Sequence, residues 1–314
     1  MEATPTLLQN WLKHHAEYEA AGRKLAIYIG PGGNAGAIAG GLITAMYQLK
    51  ALLPSATYIG SSVGAYSWLY TLVTEDHRAP TLFGTSFTTS AYFSPLRLFS
   101  SRPALNLDYV VHEVLETHVP MNYAAAAKSP FNIQALTTNA AGQPHLLPLT
   151  GISKSQVQTA LKATASMPLV GRIHNLENLS MWDGWLAEPH LLNHLKNLGV
   201  TDVVWLLNRP LTAIEPLPVR LVWANIIARS TRINPAFANL IQQRLNAGDF
   251  LASPPNGMNL EIFHPHVNLG GSIRNPAPVF HALGTSYRHM GTYLGHPNLA
   301  YPTEWAPWLH HMPS

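Results

Sequence analysis

Residues 24–69 read KLAIYIGPGGNAGAIAGGLITAMYQLKALLPSATYIGSSVGAYSWL, two apolar runs that each stop at glycine and restart as a helical pattern. The spacing predicts a strand over residues 24–29, a turn over 30–36 and a helix over 37–49. A second strand over 56–59, a turn over 60–64 and a helix over 65–73 then follow. No Asp or Glu falls between Arg23 and Thr74. Residues 25–49 and 51–74 carry no charge at all, and each is long enough to raise the question of a membrane span. Gly30, Gly32, Gly33, Gly36, Gly40, Gly41 and Pro31 break the first part, however, and Pro54, Gly60 and Gly64 break the second. Strands buried on both faces lack charge for the same reason, and they belong to a parallel sheet covered by helices.

The second turn fits Gly-x-Ser-x-Gly with Ser62 at its centre. A nucleophile elbow forces its serine into a sparsely populated backbone conformation between strand and helix. Gly60 and Gly64 then make room for the crowded turn. The first turn offers the complementary part. A glycine-rich loop at a helix start points backbone N–H groups at one spot, which suits an anion or a developing oxyanion. The loop also fits a dinucleotide fingerprint, Gly30-x-Gly32-x-x-Ala35. That reading needs an acidic residue near the end of the next strand, and the stretch has none.

With 314 residues, 47% of them hydrophobic and only 11% charged, the chain can build a large core beneath a poorly charged surface. We expect one domain over residues 1–314. The net charge of +3 comes from scattered basic residues. It predicts no nucleic-acid partner, and at most weak attraction to an anionic membrane surface. The absence of cysteine excludes disulfides, thiol catalysis and thiolate zinc sites. The first twenty residues lack a basic segment followed by an apolar core, so no secretory leader is expected. The expected location is cytoplasmic, membrane-associated, or outside the cell by a route without a leader.

Further along, an amphipathic helix is expected over residues 5–21. Residues 75–105, rich in aromatic, Ser/Thr and Pro residues without a period, read as a surface insertion, either a lid or a long loop. Helices are expected over 106–116, 153–166 and 276–294, and a long interrupted one over 219–247, whose Arg220, Arg229, Arg232 and Arg244 read as a solvated face. Strands are expected over 131–138, 145–149, 202–208 and 259–264. A turn around Asp183-Gly184 is expected within 180–189.

Taken in order, these motifs resemble the patatin-like phospholipase family. That family has a Gly-Gly-Gly-x-Arg-Gly loop, matched here by Pro31-Gly32-Gly33-Asn34-Ala35-Gly36. Its Gly-x-Ser-x-Gly is matched by residues 60–64, and its Ser-rich run before a proline by Ala163-Thr164-Ala165-Ser166-Met167-Pro168. Its Asp-Gly pair is matched by Asp183-Gly184, with Pro189 a few residues on. The resemblance covers residues 24–208. It implies a three-layer α/β/α sandwich with a mainly parallel sheet, and a lipid or phospholipid substrate. It also implies a Ser62–Asp183 dyad without histidine, oxyanion donors at Gly32, Gly33 and Asn34, and no cofactor or metal. Two positions depart from the family. Pro31 has no N–H to donate, and Ala35 stands where the family has arginine.

Alternatives remain at this point. Ser62 and Asp183, followed by His264, His266, His281 or His289, keep the Ser…Asp…His order of an α/β-hydrolase triad. His264-Pro265-His266 and His310-His311 lack further ligands at supporting spacing, so no metal site is expected. A binding protein that keeps the fold without catalysis is the third alternative, favoured by Pro31 and Ala35.

Overall fold

The computed structural model describes residues 5–74, 78, 80–94, 96–97, 103–167, 174–176, 179–209, 235–246, 250–270 and 274–313. Strand β1 (Leu25–Ile29) is buried at every position. Its side chains alternate between two cores, because successive residues of a strand point to opposite faces. Leu25, Ile27 and Ile29 enter the larger cluster, while Ala26 and Tyr28 enter the smaller one. β7 (Asp202–Leu206) divides in the same way, with Val204 and Leu206 on one side and Val203 and Trp205 on the other. An apolar run without alternation is therefore the signature of a sheet covered on both faces.

The other strands are β2 (Thr57–Ser61), β3 (Asn132–Thr138), β4 (Pro144–Pro148), β5 (His174–Leu176), β6 (Leu179–Asp183) and β8 (Asn259–Phe263). They form an eight-stranded sheet in the order β5-β6-β3-β2-β1-β7-β8, with β4 beside β3. The pairs from β3 through β2, β1 and β7 to β8 are parallel, whereas β4 and β6 run antiparallel to β3. Helices α1 (Leu7–Ala20), α2 (Gly36–Gln48), α3 (Val63–Thr74), α4 (Lys154–Thr164) and α7 (Pro276–Tyr293) contribute to the larger core. Helix α5 (Glu188–Asn197) covers the other face with Leu191, Leu192 and Leu195. This is the expected three-layer α/β/α sandwich with a mainly parallel sheet.

Capping explains two of the helix starts. Thr6 and Ser153 each accept from the third helical amide, and Gln9 and Gln156 reach back to the cap. Satisfying orphan donors at both ends of that exchange fixes where α1 and α4 begin.

At the end of the sheet where β7 begins, Asp202 is fully buried. It accepts from Arg23 Nη2, from Arg23 Nε at 3.0 Å, from Thr201 Oγ1 at 2.6 Å and from Asn259 Nδ2 at 2.8 Å. The carboxylate thereby joins the starts of β1, β7 and β8, and leaves the opposite strand ends to carry the site.

The structure corrects several expectations. β2 runs on through Gly60 and Ser61, so the turn is shorter than its glycines imply. In place of a turn throughout, β6 leads up to Asp183, and a 3-10 turn (Gly184–Ala187) comes after it. The described part of 75–105 is not a surface insertion. Leu82, Phe83, Phe87 and Tyr92 are buried in the larger core, and Pro80–Ser86 winds as a π-helix. A second π-helical segment covers Val110–His118. Of the 219–247 reading, helix α6 (Pro235–Asn246) is seen and residues 219–234, with Arg220, Arg229 and Arg232, lie outside the described residues. Arg244 lies on no solvated face, because it is held in an ion pair.

Among the described residues, no helix is long and apolar enough to cross a membrane.

Candidate active site

β1, β2 and β7 end side by side, and the segments leaving the three strands meet above the sheet. In parallel α/β sheets this carboxyl edge is the usual location of a ligand crevice. β2 ends at Ser61, and Ser62 comes next with a left-handed backbone, φ = +50°. That conformation is unfavourable for any residue with a Cβ, so the surroundings must impose it. They do so at close quarters. A Cβ on Gly60 would lie 2.2 Å from the amide nitrogen of Ala65, and one on Gly64 would lie 2.3 Å from the carbonyl oxygen of Ile29. Both contacts are with backbone, which cannot move aside, so each position demands glycine. Thr164 completes the brace. Its hydroxyl oxygen accepts from the Ser62 N–H at 2.9 Å and donates to the Leu136 carbonyl.

Asp183 closes β6, where it is the register partner of Thr137. Its N–H donates to Ser166 O at 3.1 Å and its carbonyl accepts from Thr138 Oγ1 at 2.7 Å, so the backbone is fixed on both sides. The residue is 2% exposed. Its Oδ1 accepts from the Trp185 N–H at 2.8 Å, and Ser61 Oγ makes a long contact at 3.4 Å. Ser62, next in the chain after Ser61, adds to the polar surroundings of this carboxyl. Gly184 must be glycine for that approach, since a Cβ there would meet Leu136 O at 2.3 Å and Ser61 Oγ at 2.7 Å.

Burial pushes the Asp183 carboxyl up to about 7. The Trp185 N–H opposes that rise, the nearby Glu188 charge adds to it, and the Ser61 and Ser62 hydroxyls oppose it again. Dehydration outweighs the hydrogen bonds because the charged form loses its water and gains only partial compensation. A carboxylate of ordinary basicity is a poor general base, whereas one titrating near 7 is suited to that task.

Beneath this pair lies a second layer that sequence reasoning did not find. Glu188, also buried, accepts from Tyr28 Oη at 2.8 Å and from Arg244 Nη2 at 2.7 Å. Arg244 Nε donates to the Trp185 carbonyl at 2.9 Å, and the guanidinium lies 5.2 Å from the Trp185 ring centroid. Arg244 thereby ties α6 to the turn after Asp183. The only sequence signal for any of these supports was the Ser-rich run, which contains Thr164 and Ser166. Ser61, Tyr28, Glu188 and Arg244 come from separate elements that only the tertiary fold joins.

The glycine loop lies beside the elbow. A Cβ on Gly36 would fall 2.0 Å from Val63 Cγ2, and one on Gly64 would fall 2.9 Å from Gly30 O. Gly33 has φ = +56° and opens a 3-10 turn (Gly33–Ala35). The Ala35 N–H donates to Gly32 O at 3.0 Å, and the buried Asn34 side chain donates to Phe87 O at 3.2 Å.

His264, His266 and His281 are exposed. His289 stacks on His266 with ring centroids 3.4 Å apart. Burial and then the His266 charge push it down to about 4. Among the described residues, no hydrogen bond joins any of the four to Ser62 or Asp183. No group of three or more metal-ligating side chains occurs there either.

No protein-family model and no curated protein matches the chain. Among solved structures, it is similar to VipD from Legionella pneumophila at 10% sequence identity. The match covers 87% of this chain and 67% of that one, with a TM-score of 0.42. At that level of likeness the site rests on its own geometry.

Proposed function

We propose that this chain is a lipid acyl-ester hydrolase of the patatin-like phospholipase kind, with Ser62 as nucleophile and Asp183 as its base. One observation carries the reading. A serine in a left-handed elbow directly follows Ser61, whose hydroxyl contacts a buried carboxyl pushed up to about 7. Asp183 takes the Ser62 proton as Oγ attacks the ester carbonyl, and the Gly32, Gly33 and Asn34 amides receive the oxyanion. The alcohol leaves with the proton from Asp183. Water, deprotonated by the same carboxylate, then attacks the acyl-serine and releases the fatty acid and Ser62. Every atom of the products comes from ester and water. Pro31 and Ala35 remove one donor and one cation from the family's loop, which favours neutral apolar esters over phosphate-bearing ones.

Hydrolysis of esters of graded chain length, with and without a phosphate head group, tests this reading, together with labelling by a fluorophosphonate probe. Long-chain neutral esters should be cleaved fastest and Ser62 should carry the label. Folded protein that cleaves no ester and takes no label is a binding protein instead.

The base predicts a pH profile. Turnover should fall below about pH 7 as Asp183 gains its proton. Glu188→Gln removes a nearby negative charge and should move that acid limb to lower pH, by up to about one unit. An acid limb that stays in place assigns it to another group.

The loop predicts a rate effect. Proline at position 33 removes an N–H and cannot adopt φ = +56°. Gly33→Pro should lower turnover by about 10²–10³-fold, the usual cost of losing an oxyanion donor. Unchanged turnover in the folded variant moves the oxyanion site elsewhere.

A further inference from the structure

Asn208 lies just beyond the end of β7 and is 4% exposed. Its Nδ2 donates to two successive carbonyls across the strand boundary, that of Gly30 and, at 3.4 Å, that of Pro31. The two N–H bonds of one amide nitrogen diverge, so a single side chain can serve both. The other end of the amide is unusual. Oδ1 is buried and has no hydrogen-bond partner among the described residues. Turning the amide over would place Oδ1 against two carbonyl oxygens, so the orphan acceptor is the consequence of keeping the donors on the loop. A buried acceptor without a protein partner costs stability. Its presence calls for a role that the donors fill.

The peptide plane supplies that role. In a trans peptide the C=O and the following N–H point in opposite directions. Holding the Pro31 carbonyl toward Asn208 therefore turns the Gly32 N–H away from β7. The Gly30 carbonyl shares its plane with the Pro31 nitrogen, which carries no hydrogen, so that bond only steadies the plane before it.

We propose that Asn208 is a positioning residue: it fixes the direction of the Gly32 N–H, and through it the path of Gly33 and Asn34, toward the carbonyl oxygen of an ester on Ser62. This rests on the hydrolase reading above. Asn208 itself touches neither substrate nor reacting atoms.

Asn208→Asp keeps the shape and replaces the donor by an acceptor that repels both carbonyls. Asn208→Ala removes the donor without adding charge and gives the same readings should the carboxylate variant not fold. Amide hydrogen exchange reads the loop without any turnover. Exchange at Ala35, whose N–H bonds Gly32 O, should quicken at least tenfold relative to Leu42 in the middle of α2. Turnover should fall about 10²-fold with KM unchanged, because the interaction lost belongs to the transition state. Binding of a trifluoromethyl ketone, which forms a tetrahedral adduct, should weaken in parallel. Unchanged Ala35 exchange in a folded variant overturns the proposal, as does a raised KM with unchanged kcat, which would make Asn208 a substrate contact. Wild-type protein inactive on every ester removes the hydrolase reading instead, and the exchange result still decides whether Asn208 holds the loop.

Discussion

Replacing Ser62 with alanine should lower ester turnover by about 10⁴-fold or more, and Asp183→Asn should lower it comparably, with both variants folded. Groups that act in one step are strongly non-additive, so the double variant should be little slower than either single one. Independent contributions would multiply instead, and a double variant slower by the product of the two effects would sink the dyad. A histidine variant at 264, 266, 281 or 289 as damaged as Ser62→Ala would put a triad in its place. The asparagine variant has a second expected property. The raised pKa of Asp183 means that the folded state binds a proton more tightly than the unfolded chain. Its contribution to stability is complete below the unfolded carboxyl pKa and is lost as pH rises through about 7. Above that pH, Asp183→Asn should unfold at a higher urea concentration than the wild type, losing activity while gaining stability.

Asp202→Ala should cost about 3 kcal/mol in urea unfolding, the low end of the penalty for breaking a buried pair, because Arg23 is only partly buried. Arg23 would keep its charge and lose its partner, and the starts of β1, β7 and β8 would lose their common acceptor. The pH dependence is opposite to that of Asp183. Burial alone would raise the Asp202 pKa, but the hydrogen bonds from Arg23, Thr201 and Asn259 outweigh it and hold the carboxyl below the ordinary range. Stability from a depressed carboxyl is present above its unfolded pKa and lost as pH falls through the folded one. The gap between wild type and variant should therefore be widest near neutral pH and narrow below about pH 4. A gap independent of pH would assign the loss to packing.

The contrast between these two carboxylates explains what the sequence could reveal. Ser62 and its glycines are legible because an elbow is a local steric problem with a local solution. Asp183 is legible only through its order among other motifs, since Asp-Gly is common in turns. Asp202, Thr164, Glu188, Arg244 and Asn208 act through partners distant in the chain, and nothing in their neighbours' identities announces that. The aromatic segment after α3 misleads for a different reason. π-Helical winding pairs residues five apart, so Leu82, Phe83 and Phe87 are buried without a 3.6-residue rhythm. Arg244 misleads because a long cation on a helix is usually solvated, and here it reaches a buried glutamate.

The position of β1 has a consequence for synthesis. Its two neighbours arrive at very different times. β2 comes within one helix, but on the other side the Lys24 N–H waits for Thr201, across 177 residues of chain. At about 5–20 residues per second, a ribosome needs roughly ten to thirty-five seconds to supply that partner. For that interval the emerging chain exposes an unpaired apolar edge, Leu25–Ile29, in the open. Nascent chains arrested before β7 should be far more prone to aggregate, and to be captured by chaperones, than chains arrested just after it.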